Sequence, residues 1–214
     1  MLSSTFQELY SSIEQYYLTN VDGTDNGNSR ISDLIDQKIE QLQSNKPRSE
    51  LFIQWKNFVN TLEQEIELDL INCFDLQFPS ISFRLEQSNI DGKYFEKKSF
   101  VFIASLLTPY FTFYKEYRLS IQSEIRGLKR LIEIGVLKSE SFANYLELNL
   151  EIESDLIVEK FLELLPEFKF VSFPYLVNNM VENRIPYGST QFGVQKRSVF
   201  EYLFGLDEER YKLV

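Results

Sequence analysis

Three groups of residues in this 214-residue chain combine types and spacings that could do chemistry. The first is Glu96-Lys97-Lys98, with Asp75 upstream. In a metal-dependent phosphodiesterase or nuclease, an Asp and a Glu hold Mg²⁺ while a Lys two residues past the Glu polarises the attacking water. On a strand, Glu96 and Lys98 share one face, as that chemistry requires. The competing reading is a solvated strand end that guards a sheet edge with charge.

The second group is Asp22-Gly23-Thr24-Asp25-Asn26-Gly27, with Asp33 further on. A calcium loop places oxygen ligands at positions one, three, five and twelve and glycine at position six. Asp22, Thr24, Asn26, Asp33 and Gly27 fill those places. Against calcium, the eighth position is Ser29 instead of an apolar residue, and the twelfth is Asp33 instead of a bidentate Glu. A polar helix–helix connection explains the same residues.

The third group is an acidic ladder: Glu147, Glu151, Asp155, Glu159, Glu163 and Glu167 recur at every fourth position. Like charges at that spacing on a helix repel by about 0.2–0.5 kcal/mol per pair. Lys160 is the only basic residue between Ser139 and Glu167. Because a four-residue step overshoots the 3.6-residue turn, the ladder drifts by about 40° per rung, and only neighbouring rungs share a face. Glu151, Asp155 and Glu159 are the rungs expected to meet a partner.

Composition removes most other chemistry. The chain has no histidine and one cysteine, so Ser-His and Cys-His nucleophile pairs and His- or Cys-based zinc sites are excluded. Cys73 lies beside Leu70, Ile71 and Phe74 and reads as a buried structural thiol. No Gly-x-Ser-x-Gly, Walker loop or Gly-x-Gly-x-x-Gly is present. The formal charge is −10, which repels nucleic acid and anionic lipid and attracts basic partners. The charge is uneven: residues 79–138 hold ten basic and six acidic residues, whereas residues 139–183 hold two and nine. Lys97, Lys98, Lys115, Arg118, Lys129 and Arg130 thus form a basic centre able to answer some of the rungs. The start of the chain lacks the features of a signal peptide, and the longest uncharged run, 16 residues from Ser99 to Tyr114, is too short to span a membrane.

The elements that must position these groups follow from periodicity. Helical spacing of apolar residues predicts helices over residues 4–18, 31–43 and 49–70. Ile81, Phe83 and Leu85 alternate with Ser82, Arg84 and Glu86, which predicts a half-buried strand. Strands follow over 94–107 and 110–118, the first apolar on both faces and therefore buried on both or covered by another chain. Helix is expected over 120–134, although Tyr117, Leu119 and Ile121 would also suit a longer strand. Residues 146–153 alternate like a strand, but their Leu and Glu content favours a helix over 141–165. A short strand is expected near 168–173, with short helices over 175–184 and 198–204. Tyr110, Phe111, Phe113, Tyr114 and Tyr117 are expected in the core, Tyr110 and Tyr114 being the candidates for interface anchors.

The expected fold class is α+β in one domain over 1–214: a helical part to residue 72, an antiparallel sheet of at least three strands from 73 to 118, and a mostly helical part from 119. The expected function is a non-catalytic acidic binding protein, in its sharpest form an immunity- or antitoxin-type inhibitor of a basic protein in the cytoplasm. The alternatives are a metal-dependent phosphodiesterase using Asp75, Glu96 and Lys98, and a structural adaptor subunit. No cofactor, nucleic acid or membrane is expected, Ca²⁺ or Mg²⁺ entering only with the alternatives. A homodimer through the apolar central hairpin is the other expected contact.

Overall fold

A computed structural model describes residues 4–17, 33, 37, 50–65, 69–73, 79–125, 128–139, 150–182, 184 and 196–205. Helix α1 (Ser4–Tyr16) and helix α2 (Glu50–Glu65) precede strand β1 (Asp69–Cys73). Three successive antiparallel pairings then link the long strands β2 (Ser80–Asp91), β3 (Tyr94–Ser105), β4 (Tyr110–Ile125) and β5 (Leu128–Ser139). Helix α3 (Leu150–Leu164) leads to β6 (Lys169–Phe170), α4 (Phe173–Asn178), β7 (Met180–Val181), β8 (Arg197–Ser198) and α5 (Val199–Phe204). The main sheet has the order β1-β2-β3-β4-β5, with β6 lying parallel to the start of β4. The architecture is α+β, as the sequence periodicities indicate.

Burial explains why β3 is apolar on both faces. Phe100, Phe102 and Ala104 pack with Phe83, Leu85 and Phe111 beneath Trp55, Phe58 and Leu62 of α2 and Ile157 and Phe161 of α3. Val101 and Ile103 face the opposite way and pack with Leu9 and Ile13 of α1, Leu176 of α4 and Phe200, Leu203 and Phe204 of α5. The chain's own helices therefore cover both faces of the apolar half of the hairpin. Aromatic rings give the α2/α3 side much of its substance. Phe161 sits 4.9 Å from both Phe102 and Phe111, and Phe83 stacks on Phe102 at 5.2 Å. Tyr110 and Tyr114 are buried, so neither is a surface anchor.

Among the described residues, the helices cover one end of the sheet. Burial along β2 fades after Glu86, and β3 emerges into the core only from Ser99, so the β2–β3 turn projects beyond the layers. Asp91 pairs with Tyr94, and Gly92 and Lys93 form the two-residue turn, Gly92 having φ 58°. Glycine adopts that left-handed conformation without steric cost.

Several expectations are corrected. In place of the helix expected over 120–134, β4 continues to Ile125 and β5 returns along it from Leu128 to Ser139. Ile132 and Ile121 meet as a cross-strand pair there, a contact that local helix propensity does not anticipate. The part beyond residue 119 is thus sheet through Ser139. The part before 72 is not wholly helical either, since Leu70 pairs with Leu85. The strand near 168–173 is limited to Lys169–Phe170, and Phe173 already begins α4. The helix expected over 175–184 is α4, which ends at Asn178. Residues 150–153 are helical, in line with the preference for helix over strand. The helix over 31–43 falls largely outside the described residues, where Asp33 and Gln37 are helical and exposed. Among the described residues no helix is long and apolar enough to cross a membrane.

Candidate functional site

The acidic ladder lies on α3. Ile157, Phe161 and Leu165 anchor one side of this segment in the aromatic core and hold it firmly against the sheet. The other side presents Asp155, Glu159 and Glu163, all exposed, next to the part-exposed leucines Leu156 and Leu164. Glu63 and Glu65 of α2 are also exposed, and Lys160 joins the two helices through an ion pair to Glu65 at 2.8 Å. Among the described residues no cation pairs with Asp155, Glu159 or Glu163. Glu151 lies in the same helix, while Glu147 falls outside the described residues.

Glu163 is not placed for stability. Carboxylates near a helix N-terminus are favoured by the macrodipole, and those near its C-terminus are disfavoured, by about 0.3–1 kcal/mol each. Glu163 stands in the last turn of α3, which contains no basic residue. Repulsion between rungs adds to that cost.

Part of the basic centre is engaged within the sheet, where Lys97 and Arg118 pair with acids of the strands. On the face opposite α3, Glu116 of β4 has a fully buried carboxylate. Arg118 donates from Nε to its Oε1, Lys138 of β5 approaches Oε2 at 3.2 Å, and Arg84 of β2 lies 4.0 Å from Oε1. The lattice extends sideways: Glu86 takes Lys97 at 2.5 Å and Arg84 at 3.5 Å, and Glu133 takes Arg118 at 3.3 Å. Burial on its own pushes the Glu116 carboxyl up. The hydrogen bond from Arg118 and the charges of Lys138, Arg118 and Arg84 outweigh it, so Glu116 titrates below the ordinary glutamate value. The sequence reading missed Glu116. The available signal was opposite charges two residues apart, Arg84-x-Glu86 and Glu116-x-Arg118, which on strands fall on one face.

The structure brings Glu96 and Lys98 together. Both line a cavity of about 230 Å³ at the naked end of the sheet, with Gln87, Ser88 and Asn89 of β2 as its other wall. Lys98 stands across from Tyr117 in the β3–β4 register. The Tyr117 hydroxyl is pushed above its ordinary value, first by burial and then by the charge of Glu96 and the hydrogen bond between them. Glu96 is thus already engaged. Asp75 lies outside the described residues. The described end of β1, Cys73, pairs with Ser82, seven positions along β2 from Asn89, the partner of Glu96. Among the described residues no cluster of three His, Cys, Asp or Glu side chains gathers to hold a metal ion. Of the candidate calcium ligands, Asp22, Thr24 and Asn26 lie outside the described residues, and Asp33 is helical and exposed.

Comparison with family models, with curated proteins and with solved structures finds no match to this chain.

Proposed function

We propose that this chain is a non-catalytic binding protein whose α3 surface recognises a basic protein. The observation that carries this reading is the division of charge: Glu86, Glu116 and Glu133 of the sheet are taken up by Arg84, Lys97, Arg118 and Lys138, while Asp155, Glu159 and Glu163 remain exposed on a helix anchored in the core. Leu156 and Leu164 beside them supply apolar anchors within an acidic rim, a composition that suits a protein partner better than a small cation. An overall charge of −10 steers such a partner inward. The sharpest form of the reading is an immunity- or antitoxin-type inhibitor acting in the cytoplasm.

Capture of partners from native lysate tests it, using the wild-type chain and the variant Asp155→Lys/Glu159→Lys/Glu163→Lys. The reading predicts a basic protein that is recovered by the wild type, released by salt and lost with the variant. Equal recovery by both chains contradicts it.

A metal-dependent phosphodiesterase is the second reading, favoured only by the shared face and cavity of Glu96 and Lys98. It requires Mg²⁺-dependent cleavage of a phosphodiester that Lys98→Ala abolishes.

A further inference from the structure

Strand β5 is the outer strand of the main sheet, and among the described residues its far edge pairs with nothing. An edge of this kind exposes a row of unpaired N–H and C=O groups, which proteins ordinarily guard with lysine, proline or a covering element. Strand β5 carries charge at Lys129, Arg130 and Glu133, but between them it is apolar and open: Leu131 is 60% exposed and its neighbour Ile132 41%. Consecutive residues on a strand face opposite sides of the sheet. A helix laid on one face would therefore leave one of the two in water. A strand that continues the sheet supplies cross-strand neighbours on both faces at once.

The charges indicate which strand that is. Glu133 pairs with Ser120 of β4 and Gly135 with Leu119, so Ile134 is a bulge without a counterpart. Lys129 to Glu133 is an unbulged stretch in which alternation is regular. If two copies of it pair antiparallel about a two-fold axis at Leu131, Leu131 meets its own equivalent and Arg130 falls opposite Ile132. Lys129 of each copy then falls opposite Glu133 of the other, whose exposed carboxylate also takes Arg118 of its own chain. A two-fold axis perpendicular to a sheet allows only pairings between residues on the same face, and this register meets that condition throughout.

We infer that a second copy of this chain docks edge to edge along β5, joining the two sheets into one. This contact is separate from the acidic surface of α3 and does not depend on it.

Sedimentation equilibrium of the full chain reads the assembly, a dimer having twice the 25.3 kDa chain mass. Lys129→Glu or Glu133→Lys sets two like-charged pairs face to face, and each is expected to weaken the dimer by about tenfold. The double exchange Lys129→Glu/Glu133→Lys restores wild-type affinity. Cross-linking reads the register separately, in a Cys73→Ser background that leaves the introduced thiol alone. Leu131→Cys meets its own equivalent and forms a disulfide-linked dimer on oxidation. Leu137→Cys, placed about 40 Å from its equivalent in this register, does not. A wild-type chain that stays monomeric at submillimolar concentration overturns the inference. So does a dimer indifferent to both single charge reversals, or cross-linking that is equal at the two cysteine positions.

Discussion

Replacing Glu116 by glutamine removes the one negative charge at the centre of the sheet's ion lattice and leaves side-chain shape almost unchanged. Its carboxylate is fully buried and is approached by Arg118, by Lys138 at 3.2 Å and by Arg84 at 4.0 Å. Removing one member of a buried ion pair costs about 3–5 kcal/mol, because the opposite charge remains desolvated. Arg84 and Arg118 keep contacts with Glu86 and Glu133, so the lower end of that range, about 3 kcal/mol, is expected. For a domain of this size each kcal/mol moves the melting temperature by about 2–4 °C, giving a fall of about 6–12 °C at neutral pH. The pH dependence has a definite sign. Glu116 titrates below its unfolded value of 4.5, so its contribution is present above that value and is lost as pH falls through the lower folded one. The difference between wild type and Glu116→Gln must therefore shrink in acid. Thermal melts followed by circular dichroism at neutral and acidic pH measure both effects. A neutral-pH shift below about 2 °C, or a difference that widens in acid, would show that the Glu116 carboxylate does not hold the lattice together.

Two further substitutions test the packing and the end of the chain. Phe161→Ala empties a site within 5.5 Å of Phe58, Phe102, Phe111 and Phe168, and should cost about 3–5 kcal/mol in urea unfolding, with a loss below about 1.5 kcal/mol counting against it. Ser198→Ala breaks the capping box in which Ser198 and Glu201 satisfy each other's backbone N–H at the start of α5. It should cost about 1 kcal/mol and raise amide exchange in Val199–Phe204 before the central strands.

The parts of the fold that were legible in the sequence are those whose burial pattern is local. In α1, Leu9 and Ile13 recur at helical spacing and both are buried; in β2, Ile81, Phe83 and Leu85 alternate with more polar residues and are buried. The two-sided apolar run of β3 correctly implied cover on both faces, although it could not say that the cover comes from this chain's own helices. Strand β5 was illegible for a physical reason. Its bulge at Ile134 breaks the two-residue period, and its Leu, Lys and Glu residues favour helix until Ile121 and its neighbours on β4 pair with them. Glu116 was missed because Arg84 and Lys138, two of its three cations, lie on other strands and are brought to it by pairing. On α3 the sequence located the acidic surface; of the basic centre, Lys97 and Arg118 meet acids of the strands, pairings that only the sheet register brings about.

Recognition of a basic protein by the exposed carboxylates of α3 is open to direct test. Its most direct measurement is titration calorimetry of the captured partner against the wild-type chain and against Asp155→Lys/Glu159→Lys, each at low and high salt. Wild-type affinity is expected to fall as salt rises, and the variant to lose at least tenfold with a flatter salt dependence, while its melting temperature stays within about 2 °C of wild type. Equal affinities and equal salt slopes for the two chains would contradict it.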